Sequence, residues 1–134
     1  MDVLLSRGAK DAAVILIAED EALVRFALSD CLADRGFRVL EAGAATEAID
    51  VLESEPEIDL VFSDIRMPGP IDGIDLARWV HANRPGLAVV LTSGHMHKAE
   101  IADDMGENEP FIEKPYDLQS VVSQISDLAS SRSK

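Results

Sequence analysis

The sequence of 134 residues has a single cysteine, few aromatic side chains and no long apolar run. With only Cys31, the chain cannot form an internal disulfide, and a lone thiol suits a reducing compartment. No apolar stretch approaches the roughly 20 residues that span a bilayer, and no basic and apolar signal peptide begins the chain. We therefore expect a cytoplasmic globular protein with no membrane association.

Positive charge is also scarce, with 12 Lys and Arg against 25 Asp and Glu and a formal net charge of −13. Such a surface repels phosphate backbones, which argues against direct binding of nucleic acid, and it favours cationic partners, metal ions included. The length predicts one domain. We expect an N-terminal leader at residues 1–12, the domain at 13–129 and a frayed tail at 130–134.

Short apolar runs alternate five times with segments of helical periodicity. Strands are predicted at 13–18, 37–40, 58–63, 87–92 and 111–113, and helices near 24–36, 45–52, 76–84, 98–105 and 118–128. This alternation indicates an α/β doubly wound, parallel five-stranded sheet with right-handed crossovers. The flavodoxin-like strand order 2-1-3-4-5 fits best, because its switch point lies between the strands that precede the acidic residues.

Chemically capable side chains follow four of the five predicted strands: Glu19, Asp20, Asp64, Ser93 and Lys114. The carboxyl ends of parallel strands share one edge of the sheet, so we expect these side chains to meet there. Alone, each has a common structural role as a turn former, a helix cap or a solvated loop residue. Carboxylates at one edge repel one another unless a cation lies among them, and Mg²⁺ prefers such oxygen ligands.

Four motifs in order resemble the receiver domain of two-component response regulators, here of the stand-alone, chemotaxis-receiver-like kind. The resemblance covers roughly residues 13–128. The motifs are Glu19-Asp20-Glu21, Ser63-Asp64-Ile65-Arg66-Met67-Pro68 with Asp72-Gly73, Leu91-Thr92-Ser93-Gly94, and Phe111-Ile112-Glu113-Lys114-Pro115.

The resemblance implies roles for seven residues. Asp64 is implied to accept a phosphoryl group from a histidine kinase or a histidine phosphotransfer protein. The implied ligands of Mg²⁺, for which Mn²⁺ could substitute, are Glu19, Asp20, Asp64 and the backbone carbonyl of Arg66. The implied phosphoryl-binding and switch residues are Ser93, Lys114 and Phe111.

Some residues depart from the family pattern. Glu19 stands where an Asp is commoner, Gly69-Pro70 lengthens the loop after Asp64 by one residue, and Phe111 lacks the hydroxyl of a Tyr. Two further side chains are predicted to lie over the phosphorylation site at Asp64, where they would obstruct the water that hydrolyses the acyl phosphate and so tune its lifetime. These are Arg66 and His95.

Several functions stay open from the sequence. A receiver would signal to a downstream protein through the face of the fourth predicted helix, the fifth strand and the fifth helix. It could equally be a phosphate sink or the receiver portion of a hybrid histidine kinase. We expect no enzymatic activity beyond self-catalysed phosphorylation and dephosphorylation of Asp64.

Two functions of other classes fit the sequence poorly. An aspartyl-phosphate phosphatase of the haloacid dehalogenase type needs a second Asp where Arg66 stands. A flavin carrier needs a hydroxyl-rich loop where the acidic run begins at Glu19.

Overall fold

A computed structural model describes residues 12–94, 110–114 and 117–132 of the chain. Its five strands form one parallel sheet in the order β2-β1-β3-β4-β5, which confirms the predicted fold. The strands are β1 (Val14–Ala18), β2 (Arg38–Ala42), β3 (Leu60–Asp64), β4 (Ala88–Ser93) and β5 (Phe111–Glu113). The described helices are α1 (Ala22–Asp34), α2 (Ala45–Ser54), α3 (Gly73–Asn83) and α4 (Leu118–Arg132).

Helices cover both faces of the sheet and create two hydrophobic cores. The helices α2 and α3 pack on one face, against side chains such as Leu16 and Val61. The helices α1 and α4 pack on the other face, against Ile15, Ile17 and Phe62. Successive strand residues point to opposite faces, so β1 and β3, with helices on both sides, are buried along their whole length.

Local signals fix two helix ends, of which the start of α3 lies near the site. Gly36, at φ +95°, ends α1: its N–H donates to the carbonyl of Ala33, and that of Phe37 donates to the carbonyl of Leu32. The start of α3 carries a capping box, in which Asp72 and Asp75 each accept a hydrogen bond from the other's backbone N–H.

Several predicted boundaries differ from those of the structure. The strand β3 begins at Leu60 rather than residue 58, because Asp59 bonds Val14 through its side chain and its backbone N–H. It also includes Asp64, which had been expected to follow it. The helix α4 continues to Arg132, beyond the end near residue 128 that its periodicity predicted. Extending a packed helix by a turn costs little, even through serines.

Other predictions fall on residues that the structure does not describe. The leader lies almost wholly within 1–11, and the fourth predicted helix lies within 95–109, outside the described residues. No helix among the described residues is long and apolar enough to cross a bilayer.

Candidate functional site

Three carboxylates meet at the carboxyl edge of the sheet, as the sequence predicts. Asp64 ends β3, and Glu19 and Asp20 directly follow the neighbouring strand β1. One carboxylate oxygen from each residue lies within 4.8 Å of the others. Glu19 and Asp64 are buried, whereas Asp20 is exposed to solvent. The arrangement offers a divalent cation three oxygen ligands, with access from the Asp20 side.

Lys114 brings a positive charge to this cluster from the end of β5, two strands away from β3. Its Nζ lies 2.9 Å from Oδ2 of Asp64 and 3.7 Å from Oε1 of Glu19. The N–H of Lys114 donates to the carbonyl of Ser93 at 3.1 Å, which ties this loop to β4. Lys114 therefore offsets part of the repulsion between the two buried carboxylates.

Glu19 is the most perturbed of the acidic residues at the site. Its side chain is 0 % exposed, Oε2 accepts the N–H of Glu21 at 3.0 Å, and Oε1 has no hydrogen-bond partner. Burial raises the pKa of Glu19 from 4.5 to about 7, and the charge of Asp64 adds to this, against the lowering effects of the Glu21 N–H and Lys114. A buried carboxylate oxygen without a hydrogen bond is costly, and the Lys114 ammonium 3.7 Å from Oε1 offsets only part of that cost.

These observations fit a Mg²⁺ site. Mg²⁺ binds one or two carboxylates together with water and phosphate oxygens, and it would coordinate Oε1 of Glu19, which has no hydrogen bond. The set contains only oxygen ligands, which favours Mg²⁺ or Mn²⁺ over metals that prefer sulfur or imidazole.

The backbone of Asp64 is held by its neighbours. The hydroxyl of Ser63 donates to the Asp64 carbonyl at 2.8 Å, and the N–H of Gly73 donates to the carbonyl of Ile65 at 2.8 Å. A Cβ on Gly73 would overlap the Asp64 carbonyl oxygen and lie 2.7 Å from Cα of Ile65. Only glycine therefore lets α3 start this close to the acceptor, a function that the sequence motif did not reveal.

The remaining predicted site residues surround this centre. Ser93 ends β4 and is 1 % exposed, one residue beyond Thr92, which pairs with Asp64. Phe111 begins β5 and packs half-buried against the core under α2 and α3. Arg66 is exposed in the loop after β3, and its carbonyl as a metal ligand stays a prediction, as do the switch roles of Ser93 and Phe111. His95 lies outside the described residues.

The chain belongs to the response regulator receiver domain family, which matches residues 15–126. It is 39% identical over 127 residues to the transcriptional regulatory protein PdtaR of Mycobacterium tuberculosis, covering 91% of this chain and 60% of PdtaR. It is 30% identical over 124 residues to the sensor kinase CckA of Brucella abortus, covering 87% of this chain and 12% of CckA. The chain thus spans less than two thirds of either relative.

Solved structures show the same fold. A response regulator receiver protein from Sinorhizobium medicae is 33% identical, with a TM-score of 0.80 and coverage of 90% of this chain and 97% of that one. The receiver domain of the hybrid histidine kinase CckA is 31% identical, with a TM-score of 0.69 and coverage of 87% and 99%. Receiver domains similar to this chain therefore occur both in response regulators and in kinases.

Proposed function

We propose that Asp64 accepts a phosphoryl group from a histidine kinase or a histidine phosphotransfer protein. The observation that carries this is the environment of the Asp64 carboxylate, which lies within 4.8 Å of two further carboxylates and 2.9 Å from the Lys114 ammonium. An acid placed there for turn formation alone would not need a buried acidic neighbour and a cation from a distant strand. Family membership supports the same assignment.

The residues of the chain have distinct proposed parts in the transfer. A carboxylate oxygen of Asp64 attacks phosphorus directly and needs no general base. A phosphorus–oxygen bond to Asp64 forms as the phosphorus–nitrogen bond of the donor breaks, and the departing imidazole takes the bonding electrons and is reprotonated from solvent. Lys114 stabilises negative charge that shifts onto the phosphoryl oxygens. Ser93, at the end of the next strand, is proposed to donate a hydrogen bond to another of these oxygens.

Glu19, Asp20 and Asp64 would hold Mg²⁺, together with the carbonyl of Arg66. Bound there, the ion would neutralise charge on the phosphoryl group during transfer. We propose no other enzymatic activity than this self-catalysed phosphorylation and the later hydrolysis of the acyl phosphate, in which water takes the phosphoryl group and the Asp64 carboxylate is regenerated.

The output is proposed to be a phosphorylation-dependent contact with another protein. The proposed surface includes β5 and α4, and Phe111 at the start of β5 is its proposed switch residue. A phosphate sink would lack such a contact, and a receiver within a kinase, as in the relative CckA, would act inside a longer protein. Pull-down of partners with and without beryllofluoride, which mimics the phosphoryl group, distinguishes the two functions. A receiver with a protein output should capture a partner only with beryllofluoride, whereas a phosphate sink should capture none.

Intact-mass spectrometry tests the proposal. After incubation with acetyl phosphate and Mg²⁺, we expect a single phosphoryl adduct that disappears in chelator and in the Asp64→Asn variant. Histidine kinase and ATP serve as a second donor, because a small donor can fail where a protein donor succeeds. An adduct that persists in Asp64→Asn, or none with either donor, would contradict the assignment.

A further inference from the structure

Arg25, in the first turn of α1, joins the loop after β1 to the edge strand β2. Its Nη1 donates to the backbone carbonyl of Glu19 at 2.7 Å, and its Nε donates to Oε1 of Glu41 at 2.9 Å. The side chain is only 18 % exposed, and its guanidinium lies 5.2 Å from the centroid of the Phe26 ring. Arg25 is thus an ordered side chain close to the acidic cluster.

The peptide groups of Glu19 are held from both sides by these contacts. The N–H of Glu19 donates to the carbonyl of Ala42 in β2 at 3.0 Å, and its carbonyl accepts from Arg25. The backbone N–H of Arg25 donates to the carbonyl of Glu21 at 2.9 Å and not to that of Glu19. The guanidinium therefore satisfies a carbonyl that the helix does not reach.

We propose that Arg25 is a positioning residue for the metal site: it holds the turn that carries Glu19 and Asp20 in the conformation that binds a divalent cation. The inference rests on the proposed function, since it assumes that these carboxylates bind Mg²⁺. Arg25 touches no carboxylate of the cluster in the described contacts, and it acts through the Glu19 carbonyl.

The planar guanidinium is suited to this position. It can donate in two directions at once, to the carbonyl of Glu19 and to the carboxylate of Glu41, while its face lies near the Phe26 ring. A lysine ammonium carries the same charge but has no planar fork, so it would not reproduce both bonds with this geometry.

Charge and geometry predict opposite effects of removing Arg25. If Arg25 acted only through its positive charge, its loss would reduce repulsion of Mg²⁺ and tighten binding. If it positions the Glu19 turn, its loss weakens Mg²⁺ binding. Residues that orient metal ligands typically change affinity by about 10–100-fold when mutated. We expect about a tenfold rise in the Mg²⁺ dissociation constant.

The test compares Arg25→Met, Arg25→Lys and Arg38→Met with the wild-type protein by calorimetric titration of Mg²⁺ at 25 °C. Arg38 is the matched control, because it lies at the other end of β2 and forms ion pairs with Glu57 at 2.7 Å and Glu55 at 3.4 Å. Urea unfolding in chelator measures stability separately. We expect weaker Mg²⁺ binding in both Arg25 variants, although Arg25→Lys keeps the charge, and unchanged binding in Arg38→Met.

Two results would overturn the proposal in distinguishable ways. Unchanged or tighter Mg²⁺ binding in the Arg25 variants, with or without a loss of stability, would leave Arg25 a structural or electrostatic residue and the metal site intact. Failure of the wild-type protein itself to bind Mg²⁺ would overturn the metal site, and the positioning role with it.

Discussion

The substitution Glu19→Gln is expected to stabilise the metal-free protein while it weakens the metal site. Glu19 is fully buried, and its Oε1 has no hydrogen-bond partner. Burial, followed by the charge of Asp64, raises its pKa from 4.5 to about 7. Ionising this group in the folded protein is therefore unfavourable, and a glutamine of the same size avoids that cost.

The magnitude follows from the pKa of Glu19 in the folded and unfolded chains. The difference between 4.5 and about 7, at about 1.4 kcal/mol per pH unit, corresponds to about 3 kcal/mol. Because the folded pKa is the higher one, the stabilisation from protonated Glu19 is complete below pH 4.5 and is lost as the pH rises through 7. At pH 8 the variant should thus exceed the wild type by up to about 3 kcal/mol.

Urea unfolding in EDTA at pH 5 and pH 8 measures this difference. We expect the two proteins to agree within about 1 kcal/mol at pH 5 and to separate at pH 8. The variant should also lose at least about tenfold in Mg²⁺ affinity, because a charged ligand becomes neutral. Asp20→Asn is the control: Asp20 is exposed, so we expect it to weaken Mg²⁺ binding without the gain in stability.

A different outcome would refute the reasoning. If Glu19→Gln destabilised the metal-free protein at pH 8, the Glu19 carboxylate would contribute favourable contacts that outweigh its desolvation. If the difference between the two proteins were the same at both pH values, the pKa of Glu19 would not be raised by folding.

Three further predictions concern neighbouring residues. Lys114→Gln removes the ammonium that lies 2.9 Å from the Asp64 carboxylate, so phosphorylation by acetyl phosphate should slow roughly tenfold or more while Mg²⁺ binding tightens. Equal phosphorylation rates in the variant and the wild type would contradict the proposed role of Lys114. Gly73→Ala should lower the free energy of unfolding by about 1–3 kcal/mol, because the new Cβ would overlap the backbone of Asp64 and Ile65. Gly43→Ala is the control and should cost much less, because its nearest contacts lie at 3.6 Å. Similar losses of stability in the two variants, measured by urea unfolding, would argue against the close approach of α3 to Asp64. Arg66→Ala and His95→Ala should speed loss of the phosphoryl adduct, and unchanged rates by intact mass would exclude a tuning role.

The fold could be predicted from the sequence because the apolar runs of the buried strands are recognisable even when their exact boundaries are not. The run at 13–18 and the residues before Asp64 are apolar throughout, which is what a strand with helices on both faces requires. Parallel strands then bring Glu19, Asp20, Asp64 and Lys114 to one edge, whatever the exact boundaries.

The structure added what depends on packing between distant segments. Periodicity did not show that Oε1 of Glu19 is buried without a hydrogen-bond partner, because that depends on how its side chain packs against residues from β3 and from the end of β5, such as Asp64 and Lys114. The role of Arg25 depends on where β2 ends, which the sequence placed at residue 40 rather than at Ala42. The capping box at Asp72 and Asp75 was readable from their spacing and was missed.

The most direct test of the central claim is to identify the phosphorylated residue chemically. Borohydride reduces an aspartyl phosphate to homoserine, and tandem mass spectrometry of the peptide that contains Ser63 and Asp64 locates the change. We predict homoserine at position 64 after treatment with acetyl phosphate and Mg²⁺, and an unmodified peptide when chelator is present. A phosphoserine at position 63, or homoserine at any other position, would contradict the account.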